Sequence, residues 1–342
     1  MSLTPEADRP HEHSLDELLS RAVSRRQVLR AGAAGIAWLL PLGCATTAGR
    51  SGASLGFSSL PTSWDDKLTV PPGYRAQILY AWGDATGVAG QPLPTFRWDG
   101  GNSAAEQALQ AGMHHDAIEY FALPMGAKSN TSALLAINHE YIDDGLLHTD
   151  GVITWTAEKV AKAQAAHGVS IIEVANRGGK WEVVRPSRYA RRITAGTPMT
   201  LSGPAAGHAS LQTAFDPTGR EVLGTINNCA GGYTPWGTYL TCEENFNMYF
   251  ANGGTLSPEQ RRYGIGARTT YRWNDFDARF DAAAHPNEPN RFGWVVEIDP
   301  YDPQWKPVKR TALGRIKHEG AMTTVAPDGR VVIYTGDDER FE

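Results

Sequence analysis

The densest group of residues that could do chemistry is a segment with two cysteines and two glutamates. Cys229 stands beside two glycines, and further along the chain Cys242 is followed directly by Glu243 and Glu244. Zinc is a poor fit, because structural zinc uses close pairs of cysteine and histidine. Three interpretations remain: a disulfide, buried structural cysteines, or mixed ligation in which a thiolate suits iron and carboxylates suit calcium or ferric iron.

Further carboxylates stand beside the ends of predicted strands. Glu140 precedes Asp143 and Asp144, and a second acidic run comprises Asp337, Asp338 and Glu339. Carboxylates this close together on a loop can bind a hard cation, although neither run matches an EF-hand. The alternative for either run is a solvated acidic loop.

Histidines accompany these carboxylates at positions 114, 115, 139 and 318. We expect His139 and His318 to orient neighbouring ligands rather than bind metal, because each precedes a better ligand. The Gly-x-Ser-x-Gly match at residues 52–56 lies in a loop-like stretch rather than at a strand-to-helix elbow, and the sequence has no P-loop or dinucleotide fingerprint. A metal-activated water or oxide is therefore the expected attacking group of any hydrolysis.

Short strands joined by turns must position these residues. The 36 glycines and 21 prolines are spread along the chain, as in folds with many turns. Helical patterns occur at Ser103–Gly112 and Thr156–His167, too few for a parallel α/β fold. The pattern predicts an all-β fold with strands at Tyr74–Ala81, Ile118–Leu123, Ala133–Ile137, Ser170–Val174, Lys180–Val184, Glu221–Ile226, Thr238–Thr241, Gly293–Ile298, Ala321–Ala326 and Val331–Thr335.

A weak internal repeat suggests how the hairpins are arranged. Three hairpins carry polar residues at the end away from the turn, and the third places Glu319 opposite Asp337. A radial arrangement would bring these ends to one rim of a channel, as in a β-propeller. The expected rim consists of Asp116 with Glu140, Gly207 with Cys229, and Glu319 with Asp338. A single tight hairpin over residues 221–242 would instead place Cys229 at its turn, about 20 Å from Glu243.

The N-terminal residues 1–48 are predicted to be an export signal. Arg25 and Arg26 precede an apolar run, Ala31–Leu42, that is too short to span a membrane, which resembles a twin-arginine signal. The alternatives are an amphipathic helix and lipidation of Cys44, although Pro41 fits a lipoprotein box badly. We expect the twin-arginine export machinery as a partner and a periplasmic or secreted protein without a membrane span. The net charge of −5 argues against nucleic acid as a partner.

Several motifs resemble the PhoX-type alkaline phosphatases, from the leader to residue 342. They are Val70-Pro71-Pro72-Gly73-Tyr74, Gly203-Pro204-Ala205-Ala206-Gly207-His208, Asn228-Cys229-Ala230-Gly231-Gly232, Thr234-Pro235-Trp236-Gly237-Thr238, Thr241-Cys242-Glu243-Glu244-Asn245, Phe292-Gly293-Trp294, His318-Glu319-Gly320-Ala321 and Gly336-Asp337-Asp338-Glu339.

This resemblance implies a β-propeller that hydrolyses phosphomonoesters outside the cytoplasm, with Fe3+ and Ca2+ around a bridging oxide, and we expect it to be a monomer. It implies an iron-bound thiolate, placed at Cys229 with Cys242 in reserve, and an iron-bridging Glu319. Glu140, Glu244, Asp337 and Asp338 are the further metal ligands that it implies.

One departure from the family pattern lies at the end of the chain. Family members continue beyond the Gly-Asp-Asp-Glu motif with an Arg-Pro-Glu-like segment, which this sequence does not contain. Residues 49–342 are therefore expected to form the N-terminal part of a propeller, an open arc with at most trace activity by itself. The competing functions are a non-catalytic calcium-binding scaffold and a calcium-dependent esterase or lactonase.

Overall fold

The computed structural model describes residues 58–340. The chain divides into two compact units, Met1–Ala76 and Gln77–Glu342. In the described part of the first unit, the amide of Tyr74 donates to the carbonyl of Pro71 and closes a turn. The predicted export signal, with Cys44, lies outside the described residues. None of the helices in residues 58–340 combines the length and apolar composition that a membrane span requires.

The second unit begins with a five-stranded antiparallel sheet. Its central strands are rich in β-branched and apolar residues, which favour pleated backbone, and they are buried along most of their length. The pairing order is β1-β2-β3-β4, and β5 pairs with β3 beside β4. The strands are β1 His115–Ala122, β2 Ser132–His139, β3 Gly168–Arg177, β4 Lys180–Val184 and β5 Arg191–Ile193.

A six-stranded sheet follows, in the order β7-β6-β11-β10-β9-β8. All of its pairings are antiparallel except the parallel pair of β6 and β11. The residues of β9 and β10 are buried on both faces, so these two strands are the most buried part of the sheet. The strands are β6 Pro198–Ser202, β7 Glu221–Leu223, β8 Asn228–Tyr233, β9 Tyr239–Glu243, β10 Val295–Ile298 and β11 Val308–Arg310.

A third sheet consists of one hairpin, β12 His318–Val325 and β13 Val331–Asp337. Its strands pair from His318 and Asp337 to Val325 and Val331. Most residues of this hairpin are partly or fully exposed. The end that carries His318 and Asp337 lies opposite the turn.

The helices of the described residues are short and lie in the connections between strands. They are α1 Ala104–Gln107, α2 Asp144–Leu147, α3 Ala157–Ala166 and α4 Pro258–Arg262. The hydroxyl of Thr156 accepts from the amide of Lys159 and caps the longest of them, α3. The mostly-β class expected from the sequence is confirmed.

Several expected elements are wrong in detail. Tyr74–Ala81 forms no strand, and Gly207 is not in a hairpin with Cys229, because residues 209–211 form a 3₁₀ turn and β7 pairs with β6. Glu319 pairs with Gly336 rather than Asp337, since the register shifts between Glu319 and Met322. The first and third predicted hairpins are confirmed.

Candidate metal centre

Three carboxylates converge at one place in the second unit. One ligand oxygen from each of Glu244, Glu319 and Asp338 can be chosen so that all lie within 4.8 Å of one another. Glu244 directly follows β9, Glu319 is the second residue of β12, and Asp338 directly follows β13. Glu244 is buried, whereas Glu319 and Asp338 are exposed. Such a group of oxygens suits a hard cation.

The β8–β9 hairpin explains how Glu244 comes close to Cys229. The chain reverses between Thr234 and Thr238, where the Thr234 amide donates to the Thr238 carbonyl over 2.9 Å. Asn228 therefore pairs with Glu243 at the other end of the hairpin. The alternative of a single tight hairpin over residues 221–242 is therefore wrong, since Cys229 does not lie at a turn.

The same hairpin packs closely against β12. The Cys229 thiol lies 3.4 Å from the His318 carbonyl oxygen, to which it donates. A Cβ atom at Gly232 would lie 2.1 Å from the carbonyl oxygen of Ala321, so only glycine permits this approach. Gly232 therefore allows β8 to pack closely against β12, which places the Cys229 thiol and the Glu319 carboxylate at the same end of the two hairpins.

Asn138 connects the first sheet to this hairpin. Its fully buried amide group donates to the carbonyl of Cys229 over 2.6 Å, and it accepts from the hydroxyls of Tyr239 and Thr241 over 2.8 and 2.9 Å. Because Glu140 follows Asn138 by two residues at the end of β2, these bonds fix Glu140 relative to Cys229.

Cys229 and Cys242 are both free thiols, so the interpretation of these two residues as a disulfide is wrong. Burial raises the pKa of the Cys229 thiol far above its usual range, and the adjacent Glu244 carboxylate contributes to the rise. Burial also raises the pKa of Cys242 to about 12. Cys242 is fully buried and packs among apolar residues such as Leu240 and Val295.

Glu140 adds a further acidic group to the cluster. Burial, together with the negative charges of Asp116, Glu244 and Glu319, raises its pKa to about 7. The amide of Glu140 donates to the carbonyl of His114 over 3.1 Å, which fixes the backbone at the end of β2.

Other carboxylates of the motifs have partners within the protein. Asp337 accepts from the amide of Lys317 over 3.1 Å, and Glu339 pairs with the Lys317 ammonium. Glu243 forms a fully buried ion pair with Lys309 at 2.7 Å. Glu243 is therefore part of the framework behind the site, whereas its neighbour Glu244 is part of the carboxylate cluster.

His318 is fixed through both ring nitrogens. Its Nε2 donates to the carbonyl of Gly314 over 3.0 Å, and its Nδ1 lies 2.8 Å from the Thr335 hydroxyl. His139 Nε2 lies 2.6 Å from the Ser170 hydroxyl, and burial lowers the pKa of His139 well below its usual range. Each histidine directly precedes a carboxylate of the site in the sequence, and its orienting role stays a prediction.

The residues present fit a metal centre. Burial is the largest cause of the raised pKa values of Glu140, Glu244 and Cys229, and neighbouring acidic groups raise these values further. Negative charge at this site is therefore unfavourable until a cation compensates it. A thiolate with several carboxylates is a donor set for iron together with a harder cation.

A pocket with a volume of about 630 Å³ adjoins the cluster, with Glu140 and Asn245 in its wall. Asn245 donates to the Glu244 carboxylate over 2.7 Å. His114 and Asn227, which also line it, have positive φ angles of 46° and 49°. Such strained backbone occurs preferentially at functional sites. The sequence interpretation missed the pocket, although Asn227 and Asn245 frame the cysteine motif.

Known proteins resemble this chain in sequence and in structure. The family model described as alkaline phosphatase PhoX matches residues 55–342. A solved structure, "Pseudomonas fluorescens PhoX in complex with vanadate, a transition state analogue", matches with 48% identity and a TM-score of 0.79. The match covers 83% of this chain and 49% of that chain, so this chain spans about half the length of the solved protein. No curated protein matches the chain. The chain belongs to the PhoX alkaline phosphatase family.

Proposed function

We propose that the protein carrying this chain is a metal-dependent phosphomonoesterase. The observation that carries the proposal is the convergence of Glu244, Glu319 and Asp338 beside the Cys229 thiol in a chain of this family. The similar protein was solved with vanadate, described as a transition state analogue. Such analogues bind where an enzyme stabilises its transition state, and vanadate resembles a reacting phosphoryl group.

We assign the metals by donor chemistry. Cys229, Glu244 and Glu319 suit Fe3+, and Glu140, Asp337 and Asp338 are the candidate ligands for Ca2+. When bound, these metals would activate water and neutralise charge on the phosphoryl group. The Cys229 thiol must lose its proton to bind iron, which its high pKa opposes in the absence of a cation.

Residues of this chain prepare the ligands for this task. The Asn245 amide orients the Glu244 carboxylate, and the Asn227 carbonyl accepts from the Glu244 amide over 3.0 Å. Lys317 accepts through its carbonyl from the Asp338 amide over 3.0 Å and fixes the end of β13 beside β12. Ligands held in this way lose less freedom on binding metal.

Architecture and location are part of the same proposal. We propose that the sheets belong to a β-propeller, since antiparallel hairpins carry the acidic residues at one end. We also propose that residues 1–48 are a twin-arginine signal, that residues 49–342 belong to the phosphatase domain, and that the protein is a periplasmic or secreted monomer. The paired arginines support the signal.

The test uses the full chain as the cell produces it, supplied with iron and calcium. We expect hydrolysis of p-nitrophenyl phosphate, and we expect D338N to lower kcat at least about 100-fold with loss of bound metal. D328N is the matched control, because Asp328 lies at the turn of the same hairpin. Metal binding without hydrolysis would support the scaffold instead, and unchanged turnover by D338N would refute the site.

A further inference from the structure

The pocket beside the metal centre is large enough for a small organic group. Its volume of about 630 Å³ falls within the range of ligand sites. The residues that decide its chemistry are Tyr141, Asp143, Asp144, Asn245, Met248 and Tyr271. The proposed function places the phosphate group of the substrate at the metal centre and assigns no role to the pocket.

The pocket is continuous with the carboxylate cluster. Glu140 forms part of its wall, and Asn245 both lines it and donates to Glu244 over 2.7 Å. A phosphomonoester has one organic substituent on phosphorus. A phosphate bound at the cluster can therefore extend its alcohol part into the adjoining pocket.

Two aromatic rings in the wall are held rigidly. Tyr141 stacks on His114 with a centroid distance of 3.8 Å and stays 38% exposed. Tyr271 stacks on Tyr249 at 4.4 Å, with the two rings nearly parallel. Rings fixed in this way offer apolar contact at little entropic cost, and an aromatic face attracts a cation.

The charge of the wall selects among organic groups. Asp143 and Asp144 line the pocket together with Glu140, and no lysine or arginine is among its lining residues. Asp143 is exposed and accepts a hydrogen bond from the Gly145 amide over 2.8 Å. Negative charge in a concave site attracts cations and repels acidic groups.

We propose that this pocket binds the alcohol part of the substrate and favours alcohols that carry an ammonium group. The inference rests on the proposed phosphatase function for its place in catalysis, although binding of the ammonium alcohol itself does not require turnover. Tyr141 and Tyr271 supply the aromatic contact, and Asp143 supplies the charge.

Binding is tested by calorimetry with choline and its uncharged isostere, 3,3-dimethylbutan-1-ol, on the full chain with iron and calcium present. We expect choline to bind at least about 10-fold more tightly. Asp143→Asn retains the capping of α2 and should weaken choline binding about 5-fold or more without affecting the isostere. Tyr141→Leu should weaken choline binding, and Tyr141→Phe should retain it.

Asp302→Asn is the matched control, since Asp302 is exposed and likewise accepts from the amide two residues later, over 2.9 Å. It should leave choline binding unchanged. Equal affinity for choline and its isostere, no choline binding, or equal losses in D143N and D302N would overturn the inference.

Turnover separates this inference from the proposed function. We expect the ratio of kcat/KM for phosphocholine to that for 3,3-dimethylbutyl phosphate to fall in D143N and to stay the same in D302N. If the ratio is the same in all three proteins while both esters are hydrolysed, the pocket assignment is wrong and the phosphatase stands. If neither ester is hydrolysed but choline binds selectively, the phosphatase function fails and the pocket assignment stands.

Discussion

The ammonium of Lys309 lies 2.7 Å from the carboxylate of Glu243, and both side chains are completely buried. The same carboxylate accepts from the amides of Gly293 and Trp294 over 3.0 and 3.2 Å. The Lys309 ammonium lies 3.9 Å from the centre of the Phe292 ring. This ion pair fixes the end of β9, where the next residue is Glu244.

Replacement of Lys309 by methionine should therefore leave an uncompensated buried carboxylate. We expect K309M to lower the free energy of unfolding by about 3–5 kcal/mol, measured by urea denaturation. The double variant E243Q/K309M should recover part of this loss, because glutamine still accepts from the two amides. A double variant no more stable than K309M would show that the charge of Glu243 is not the cause.

The two cysteines should respond differently to substitution. Cys229→Ala should remove bound iron, measured by metal analysis, because its thiol lies beside Glu244. Cys242→Ala should keep the iron and lower the melting temperature, since its side chain fills an apolar cluster. Loss of iron from C242A alone would show that Cys242 is the ligand instead.

Close packing of β8 on β12 predicts a steric effect. Gly232→Ala would place a methyl group 2.1 Å from the Ala321 carbonyl oxygen and should separate Cys229 from Glu319. We expect a lower melting temperature and weaker metal binding. Gly253→Ala is the control, because its new Cβ atom would meet no atom within 4 Å. Equal effects of both variants would contradict the packing argument.

Glu140 predicts a pH dependence of stability in the metal-free protein. Its pKa is raised from 4.5 to about 7 in the folded state, so the folded protein holds this proton more tightly than the unfolded chain. Its contribution to stability is fully present below pH 4.5 and is lost as pH rises through about 7. The melting temperature of E140Q minus that of the native protein should therefore increase between pH 4.5 and 8. A constant difference would refute this.

Export provides a prediction for the part of the chain outside the described residues. Changing Arg25 and Arg26 together to lysine should leave the precursor in the cytoplasm, measured by cell fractionation, because the proposed signal depends on paired arginines. Changing Arg9 and Arg21 to lysine is the control and should allow export. Normal export of the paired variant would contradict the twin-arginine proposal.

Local signals explain which parts of the fold the sequence predicts well. The hairpin of β12 and β13 has a Pro-Asp-Gly turn between apolar runs, and Thr156 caps α3 as its pattern indicates. The short strands β6 and β11 pair with each other in parallel across a long separation in sequence. No local pattern encodes such a pairing, so both strands were missed.

In the candidate site, too, local sequence patterns predict some features, whereas others depend on contacts between distant parts of the chain. Cys229, Glu319 and Glu140 could be singled out from residue type and motif, but their ligand roles stay predictions. The resemblance to the family implies Glu244 rather than Glu243 as a ligand, but residue type alone does not separate these two glutamates, because the difference depends on which side chain meets Lys309 in the core. The pocket depends on ring stacking between His114 and Tyr141, which only the tertiary structure reveals.

The carboxylate cluster also has a consequence for the order of events during folding. Glu140, Glu244 and Asp338 come from three hairpins that are far apart in the chain. Contacts between distant segments form late, because closing long loops costs entropy before any contact compensates for it. No single hairpin brings these carboxylates together. A cation that needs all three carboxylates can therefore be held only after the three hairpins have docked, so that metal loading would complete folding rather than nucleate it.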